Sequence, residues 1–278
     1  MNCRRSLCPA IFAVVLVFGS GVRARAQTEI TLLAPGPIRA PLEKIVASFQ
    51  AKTNYKVKVT YGTGLSTRLS VAKGETLDVS LIVAPFPGAI ASGTIMTSSQ
   101  TLIASFLTAV AVPKGRPKPD ISTPAAVKKA LLAAKSVGYE DPDFSTAGQG
   151  PTQAINKLGI ADQIATKSVL CAGNVAYVAP SVCFAPDGTG GGSMRTVDKR
   201  IAGGDVDIAM LYLSAMLPNK DKIDIVGVLP HKICTPTAIF GFVSTHASDP
   251  GGAKALLQYL ASPEAEGTFK DAGLEPHS

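Results

Sequence analysis

Few residues in this sequence have the types and spacing that catalysis requires. Ser70 precedes Lys73 by three positions, so on a helix the two side chains would be neighbours and the lysine would be placed to take the serine proton. The motifs that accompany such a serine–lysine pair in acyl enzymes, Ser-Asp-Asn and Lys-Thr-Gly, are absent from the sequence. The pair is therefore the one candidate for an activated nucleophile in the sequence, and the motifs that normally accompany it are missing.

Metal ligation and acid–base chemistry have no better support. The sequence contains three histidines: His231, His246 and His277. His231 and Cys234 have the spacing of one ligand pair, but no second pair has zinc spacing, so structural roles are favoured. Asp141 and Asp143 lie in a turn-forming segment, where aspartates are common. We therefore predict no metal, no cofactor and no catalytic site.

One segment has the form of a ligand-binding corner. Residues 30–49, ITLLAPGPIRAPLEKIVASF, predict a strand, a tight turn and an amphipathic helix. The first N–H groups of a helix have no partner within it, so such a corner presents donors to a ligand, an anion above all. Pro35 and Pro37 have no N–H and remove two of these donors. We expect the corner to face the ligand with few hydrogen-bond donors.

Strand and helix patterns alternate along the rest of the chain. YKVKVTYG alternates as a half-buried strand does, LSTRLSVAKG predicts a short helix that ends near Gly74, and LDVSLIVA is typical of a buried strand. Further strands are predicted within 106–115, 136–142, 205–215 and 222–230, and two C-terminal helices meet at 262–263. Strand–helix–strand order implies parallel crossovers, so the predicted fold class is α/β.

The first 26 residues are typical of a cleaved secretory signal. Arg4 and Arg5 precede the apolar run PAIFAVVLVFG, and the segment ARA at 24–26 has the small-x-small pattern of a signal-peptidase site. The apolar run is shorter than the roughly 20 residues that a stable membrane anchor needs. We therefore predict that the signal occupies 1–26, that the mature chain starts near Gln27, and that the protein is exported to the periplasm.

The charge of the mature chain gives no support to a nucleic-acid or membrane-surface role. The whole chain has 27 lysines and arginines and 20 acidic residues. Four of the arginines lie in the leader, so 23 basic residues remain and the excess is small and scattered. About 250 residues are enough to bury a full core in one large domain or two lobes. We expect a monomer that binds no nucleic acid.

Three cysteines remain after removal of the signal: Cys171, Cys183 and Cys234. An oxidising compartment permits a disulfide, and Cys171 with Cys183 would close a short loop and leave Cys234 free. The alternative is that all three are small buried thiols. The sequence alone leaves both open.

The ordered set of segments resembles the extracytoplasmic solute-binding proteins of ABC transporters, in particular the molybdate-binding-protein-like group. The likeness covers nearly the whole mature chain, and its segments are ITLLAPGPIRAPLEKIVASFQAKTNYKVKVTYGTG, LSVAKGETLDVSLIVAP, TAVAVPKG, VGYEDPDFSTAGQGPTQAINKLGI, IAGGDVDIAMLYLSA and ASPEAEGTFKDAGLEP. No single fragment is diagnostic, whereas the order of the set is specific.

The resemblance implies a two-lobed, type II periplasmic-binding-protein fold. Each lobe would be a mostly parallel sheet flanked by helices, with the ligand in the cleft between the lobes. Lobe one is expected at 27–109 and 232–278 and lobe two at 110–231, and the lobes would close about the two crossings of the chain. A small-molecule or oxyanion ligand and an ABC transporter permease are the implied partners, and no cofactor is implied.

The resemblance also implies which residues contact the ligand. The two family serines that bind the anion correspond to Pro37 and Gly64, so both hydroxyl donors are missing from this sequence. The implied contact positions and their neighbours are Pro37, Ile38, Thr63, Gly64, Val83, Ala147, Gly148, Met194, Arg195 and Tyr212. Arg39 and Arg68, like Arg195, would offer a cation to a carboxylate or phosphate.

The missing donors make a tetrahedral oxyanion a less favourable ligand. Each desolvated oxygen left without a partner costs about 1–3 kcal/mol, because the anion loses water without gaining a hydrogen bond. The sequence therefore predicts a small anionic solute, either a molybdate-like oxyanion or a small organic anion, that is carried to a permease without catalytic turnover, and the corner suits the larger or less densely bonded of the two. The alternative is an exported enzyme or sensor that kept the fold, with Ser70 as its candidate nucleophile, since a fold does not dictate a function.

Overall fold

The computed structural model describes residues 28–75, 77–171, 183–184 and 201–277, of which 183–184 are described as backbone only. The described strands are β1 (Thr28–Pro35), β2 (Tyr55–Gly62), β3 (Val79–Val83), β4 (Thr101–Phe106), β5 (Thr108–Pro113), β6 (Val137–Glu140), β7 (Ser168–Cys171), β8 (Cys183–Phe184), β9 (Ile208–Tyr212), β10 (Ile223–Val228), β11 (Thr237–Val243) and β12 (Leu274–Glu275).

The helices that the structure describes pack around these strands. They are α1 (Arg39–Lys52), α2 (Gly64–Ala72), α3 (Pro87–Ala91), α4 (Pro124–Ala133), α5 (Gln149–Lys157), α6 (Ala161–Ala165), α7 (Leu213–Met216), α8 (Pro250–Leu260) and α9 (Pro263–Asp271). None of the helices in this part of the chain combines the length and apolar character that a bilayer crossing requires.

The described strands form two sheets of six strands each, and each sheet is the centre of one lobe. The first has the order β12-β4-β11-β3-β1-β2 and the second has the order β10-β5-β9-β6-β7-β8. We call the two units lobe one and lobe two. The predicted two-lobed α/β architecture is thereby confirmed.

The sheets are mixed, whereas mostly parallel sheets were expected. β1 runs parallel to β2 and β3, but β11 runs antiparallel to both β3 and β4. In lobe two β6 runs parallel to β7 and β9, but β5 runs antiparallel to β9 and β10. The antiparallel strands are those next to the crossings, which the chain enters from the other lobe rather than through a strand–helix–strand unit.

The chain crosses between the lobes twice. It leaves the first sheet at Phe106 and enters the second at Thr108, and it returns between Val228 and Thr237. The boundaries expected from the sequence were 109/110 and 231/232. The C-terminal helices return to lobe one, where the Ser48 hydroxyl on α1 donates a 2.9 Å hydrogen bond to Glu264 on α9.

The core of lobe one explains the sequence patterns of its helices and strands. The helical spacing of Leu42, Ile45, Val46 and Phe49 predicts one buried face of α1, and the structure confirms that all four are buried. All five residues of β3 are buried, as expected for a strand covered on both faces. α2 ends before Gly74, which has a φ of +87° and so permits the left-handed turn that stops the helix.

Candidate ligand-binding cleft

A cavity of about 350 Å³ lies between the two lobes. Lobe one contributes the turn after β1, the end of β2 and the start of α2, and lobe two contributes the segments that follow β6 and β9. The lining residues are Gly36, Pro37, Arg39, Tyr61, Gly62, Thr63, Gly64, Glu140, Ser145, Thr146, Ala147, Leu211, Tyr212 and Ala215. The volume lies at the lower end of the range for small-molecule pockets.

The corner after β1 faces the cavity through one of its two prolines and through its arginine. A short 3₁₀ turn, Gly36–Ile38, connects β1 to α1, and Gly36, Pro37 and Arg39 line the cavity. Ile38 is fully buried and packs in the core of lobe one, so it lies behind the cavity wall. The expected contact therefore falls on Pro37, while Ile38 has a structural position.

Arg39 is placed over an aromatic ring at the edge of the cavity. Its guanidinium carbon lies 4.1 Å from the centroid of the Tyr61 ring, a cation–π contact that orients the charge. The Tyr61 hydroxyl is buried and has no hydrogen-bond partner in the described part of the chain. Burial and the charge of Glu43 raise the pKa of Tyr61 to about 12, against the opposing effect of Arg39. The cavity wall thus carries a permanent cation beside a neutral donor.

The beginning of α2 forms a second part of the lobe-one wall. Thr63 caps this helix, because its hydroxyl accepts a 2.9 Å hydrogen bond from the Ser66 N–H while the Ser66 hydroxyl accepts one of 2.7 Å from the Thr63 N–H. Thr63 and Gly64 both line the cavity. The positive end of the helix dipole therefore faces the cavity together with Arg39, and both favour an anion.

The lobe-two wall is a turn held together by its own polar groups. The Ser145 hydroxyl donates a hydrogen bond to Glu140 and accepts a 3.2 Å hydrogen bond from the Ala147 N–H. Ala147 lines the cavity, as expected from the sequence. Gly148 is buried beneath the turn, where a Cβ would lie 2.1 Å from the Glu140 carbonyl oxygen, so only glycine fits there.

Tyr212 lines the cavity, and its hydroxyl is hydrogen-bonded within lobe two. The side chain is 1% exposed, and its hydroxyl donates a 2.7 Å hydrogen bond to the Thr146 carbonyl oxygen. The ring stacks on Phe106 of lobe one, with the ring centroids 4.1 Å apart and the ring planes 9° from parallel. Burial raises the pKa of the Tyr212 hydroxyl. Tyr212 therefore joins the lobes at the crossing.

Other residues predicted for the site lie elsewhere. Val83 is fully buried at the end of β3 and does not belong to the cavity lining that the structure describes. Arg68 donates a 2.7 Å hydrogen bond to the Pro85 carbonyl oxygen, and burial lowers its pKa. Met194 and Arg195 lie outside the described residues.

The candidate nucleophile lies apart from the cavity that the structure describes. Neither Ser70 nor Lys73 lines the cavity, and Lys73 is exposed at the C-terminal cap of α2. Within the described residues no group of histidine, cysteine and acidic side chains is arranged to hold a metal.

The described cysteines differ in their bonding state. Cys171 is disulfide-bonded and lies opposite Cys183 in the register of β7 and β8. Cys234 is a free, buried thiol, and burial raises its pKa. A disulfide between Cys171 and Cys183 remains our proposal for this pairing.

Sequence reasoning missed Tyr61, Glu140, Ser145 and Thr146 as cavity residues. Tyr61 lies near the C-terminal end of β2, and Glu140 is the last residue of β6. Ligands of α/β sheets bind outside the carboxyl ends of the strands, so the position of a polar residue at a strand end is a signal that would have found both.

A cavity between two α/β lobes joined by two crossings defines the class of two-lobed, cleft-binding proteins. The model of the family described as bacterial extracellular solute-binding protein matches residues 30–275, so the chain belongs to this family.

Two solved structures share the fold at low sequence identity. The substrate-binding domain of a protein assigned as a molybdenum ABC transporter from Clostridium difficile is 16% identical with a TM-score of 0.70, covering 90% of this chain and 100% of that one. The periplasmic molybdate-binding protein of Azotobacter vinelandii is 15% identical with a TM-score of 0.65, at the same coverage of both chains.

A relative with higher sequence identity is named as an isomerase. An aconitate isomerase of Pseudomonas sp is 27% identical over 273 residues, which cover 96% of this chain and 95% of that protein.

Proposed function

We propose that this protein binds a small organic anion with two or more carboxylates in its cleft and delivers it to a membrane transporter. The observation that carries the proposal is the Arg39 guanidinium, held 4.1 Å above the Tyr61 ring at the wall of a cavity of about 350 Å³. A guanidinium binds a carboxylate through two parallel hydrogen bonds, and the start of α2 adds a second attraction for negative charge.

Several features favour an organic anion over a tetrahedral oxyanion. A small oxyanion requires donors converging from all sides, because each desolvated oxygen needs a partner. Here Pro37 has neither hydroxyl nor N–H, Gly64 has no side chain, and the Tyr212 hydroxyl is bonded to Thr146. The relative named as an aconitate isomerase supports the same class, because aconitate is a tricarboxylate.

The transport setting is part of the proposal. The family supports an extracytoplasmic protein with a small ligand, and residues 1–26 have the composition of a signal peptide. We propose a periplasmic monomer that presents its loaded, closed form to an ABC transporter permease.

A second candidate function is isomerisation of an aconitate-like tricarboxylate, favoured by the full-length relative of that name. Converting one geometric isomer into the other requires a base that takes a proton from the methylene beside the double bond. The electron pair then shifts across the allylic system, and the proton returns to the far carbon. Glu140 is the carboxylate among the described residues of the cavity lining, and no external oxidant or reductant is needed for this step.

Calorimetric titration tests the binding proposal. Citrate, cis-aconitate, trans-aconitate, molybdate and sulfate are titrated into the wild type, Arg39→Gln and the control Arg116→Gln, whose arginine is exposed on lobe two away from the cavity. We expect a polycarboxylate to bind the wild type, Arg39→Gln to weaken it at least about tenfold, and Arg116→Gln to leave it unchanged. Equal affinities of wild type and Arg39→Gln would contradict the proposal.

Proton NMR of each aconitate isomer incubated with the protein separates the two candidates. Appearance of the other isomer establishes the enzyme, whereas binding without conversion establishes the transport protein.

A further inference from the structure

A second cavity, of about 300 Å³, lies where the turn after β3, the beginning of α5 and the crossing at 229–236 meet. None of its described lining residues lines the first cavity, so the two are separate spaces. Its mouth is open to solvent, because Pro85 and Thr235 in its wall are exposed. A ligand in solution can therefore reach the second cavity without entering the first.

Arg68 lies beside the second cavity with most of its donors unused. Its guanidinium donates a 2.7 Å hydrogen bond to the carbonyl oxygen of Pro85, which is part of the cavity wall. A guanidinium has five N–H donors, and no acidic side chain among the described residues forms an ion pair with this one. Burial lowers the pKa of Arg68, because its charge has lost part of its hydration. An anion bound here would supply the missing partner.

Gln153 adds a donor that is fixed in orientation. Its side chain lines the second cavity, and its Oε1 atom accepts a 2.6 Å hydrogen bond from the Thr235 N–H. The acceptor of the amide is thus occupied by the backbone of the crossing, while its NH₂ group keeps two donors for another partner. The described lining contains no acidic side chain, so nothing in it repels a carboxylate.

The rest of the wall is largely apolar. Ala84, Pro236 and Ala238 line the cavity beside the polar groups. A ligand with a hydrocarbon part gains free energy by covering these side chains, whereas a bare inorganic ion gains none from them. One cation beside an apolar wall fits a ligand with one negative group, because a second carboxylate would lose water without gaining a partner.

We propose that the second cavity binds a short-chain aliphatic monocarboxylate. Its carboxylate accepts hydrogen bonds from Arg68 and from the Gln153 amide, and its alkyl chain packs on Ala84, Pro236 and Ala238. This site is additional to the polycarboxylate site at Arg39, and it needs neither the residues nor the ligand of the first cavity.

Chemical-shift titration of the ¹⁵N-labelled protein tests the proposal, because it measures affinity and location together. Butyrate is titrated into the wild type, Arg68→Gln, Gln153→Glu and the control Lys73→Gln, which removes an exposed cation from the same region of lobe one. Gln153→Glu keeps an acceptor for the Thr235 N–H and places a negative charge where the donor was. We expect a Kd of about 1 mM or below in the wild type, at least about tenfold weaker binding in Arg68→Gln and Gln153→Glu, and no change in Lys73→Gln.

The shifted amides and a second ligand make the result decisive. Butyrate should shift amides within 149–153 and 235–238 and leave those within 61–64 and 145–147 in place, and inorganic phosphate should bind at least about tenfold more weakly than butyrate. No binding of butyrate, shifts confined to the first cavity, wild-type affinity in Arg68→Gln, or phosphate binding as tight as butyrate would overturn the inference. Circular dichroism confirms that each variant is folded.

The same spectra keep this inference distinct from the proposed function. Citrate is expected to shift amides at the first cavity, within 61–64 and 145–147. If citrate binds nowhere while butyrate shifts 149–153 and 235–238, the proposed function is wrong and the second site stands. The reverse pattern, with citrate at the first cavity and no butyrate at the second, overturns the inference alone.

Discussion

Single residues divide the cleft into a cationic wall and an acidic wall. Arg39 and the start of α2 provide positive charge from lobe one, while Glu140 on lobe two is held by the Ser145 hydroxyl. A bound polycarboxylate would meet Arg39 on one side, and a carbon atom of the same ligand would face Glu140 on the other. Substitution of Glu140 should therefore have different effects in a binding protein and in an isomerase.

Glu140→Gln therefore discriminates between the two candidate functions. If the protein is an isomerase, we expect this variant to lose at least about a hundredfold in turnover with a small change in affinity, because an amide cannot take the substrate proton. If the protein is only a binder, removing the negative charge should leave affinity unchanged or raise it. Proton NMR and calorimetry measure both, with the exposed Glu75→Gln as the control. Turnover that survives in Glu140→Gln contradicts its role as the base.

Tyr212 has a predicted effect on stability rather than on binding. Tyr212→Phe keeps the stacking on Phe106 and removes the hydrogen bond to the Thr146 carbonyl oxygen. We expect the free energy of unfolding to fall by about 1 kcal/mol, as for a typical lost hydrogen bond, and ligand affinity to change less than threefold. Chemical denaturation and calorimetry measure the two. A loss of affinity above tenfold with unchanged stability would show that the hydroxyl binds the ligand instead.

At the scale of elements, Asp78 ties the start of β3 to β1 and to the loop before α8. Its carboxylate accepts hydrogen bonds from the N–H and the hydroxyl of Thr31 at 2.7 and 2.6 Å and from those of Ser248 at 2.7 and 2.8 Å. Burial acts to raise the pKa of Asp78, but the hydrogen bonds from Thr31 and Ser248 together outweigh it and hold the pKa below its usual value.

The lowered pKa of Asp78 predicts a loss of stability in acid. The folded form binds this proton less readily than the unfolded form, so the contribution is complete above the ordinary aspartate pKa of about 4 and is lost as pH falls through the folded value. Asp78→Asn should lower the free energy of unfolding at pH 7 by about 1–3 kcal/mol and flatten its fall between about pH 5 and 3. Denaturation across this range measures it, with the exposed Asp271→Asn as control. Parallel pH curves for wild type and Asp78→Asn would contradict the assignment.

The sequence predicted most elements of lobe one because their patterns are local. The apolar spacing of α1, the alternation of β2 and the glycine after α2 each act within one element. β11 was missed because Gly241 interrupts its apolar run. The structure explains this glycine, since a Cβ there would lie 2.3 Å from the Leu257 side chain on α8. A packing requirement between two distant segments thus weakened the local strand signal.

The cavity was predictable in part for the same reason. Pro37 follows from the local strand–turn–helix form, whereas Thr63 and Gly64 were implied by the family resemblance, and all three line the cavity. The contact between Gly64 and Thr146 depends on how two lobes meet, and the partner of the Tyr212 hydroxyl depends on the same meeting. No local pattern carries such information.

At the scale of the whole molecule, the proposed binding mode requires ligand binding and lobe closure to occur together. The two lobes are joined at Leu107 and at residues 229–236, and the cavity is walled by both lobes. A ligand that contacts both walls binds the closed form better than the open form, and it shifts the population by that difference.

The most direct test is calorimetric competition on the wild-type protein between tricarboxylates and tetrahedral oxyanions, with small-angle scattering of the same samples. We expect citrate or an aconitate isomer to bind at least about a hundredfold more tightly than molybdate or sulfate, and the bound sample to have the smaller radius of gyration. Two results would contradict the proposed binding mode. One is that molybdate binds more tightly than every tricarboxylate, and the other is that a tricarboxylate binds to a demonstrably open ligand-free form without compacting it.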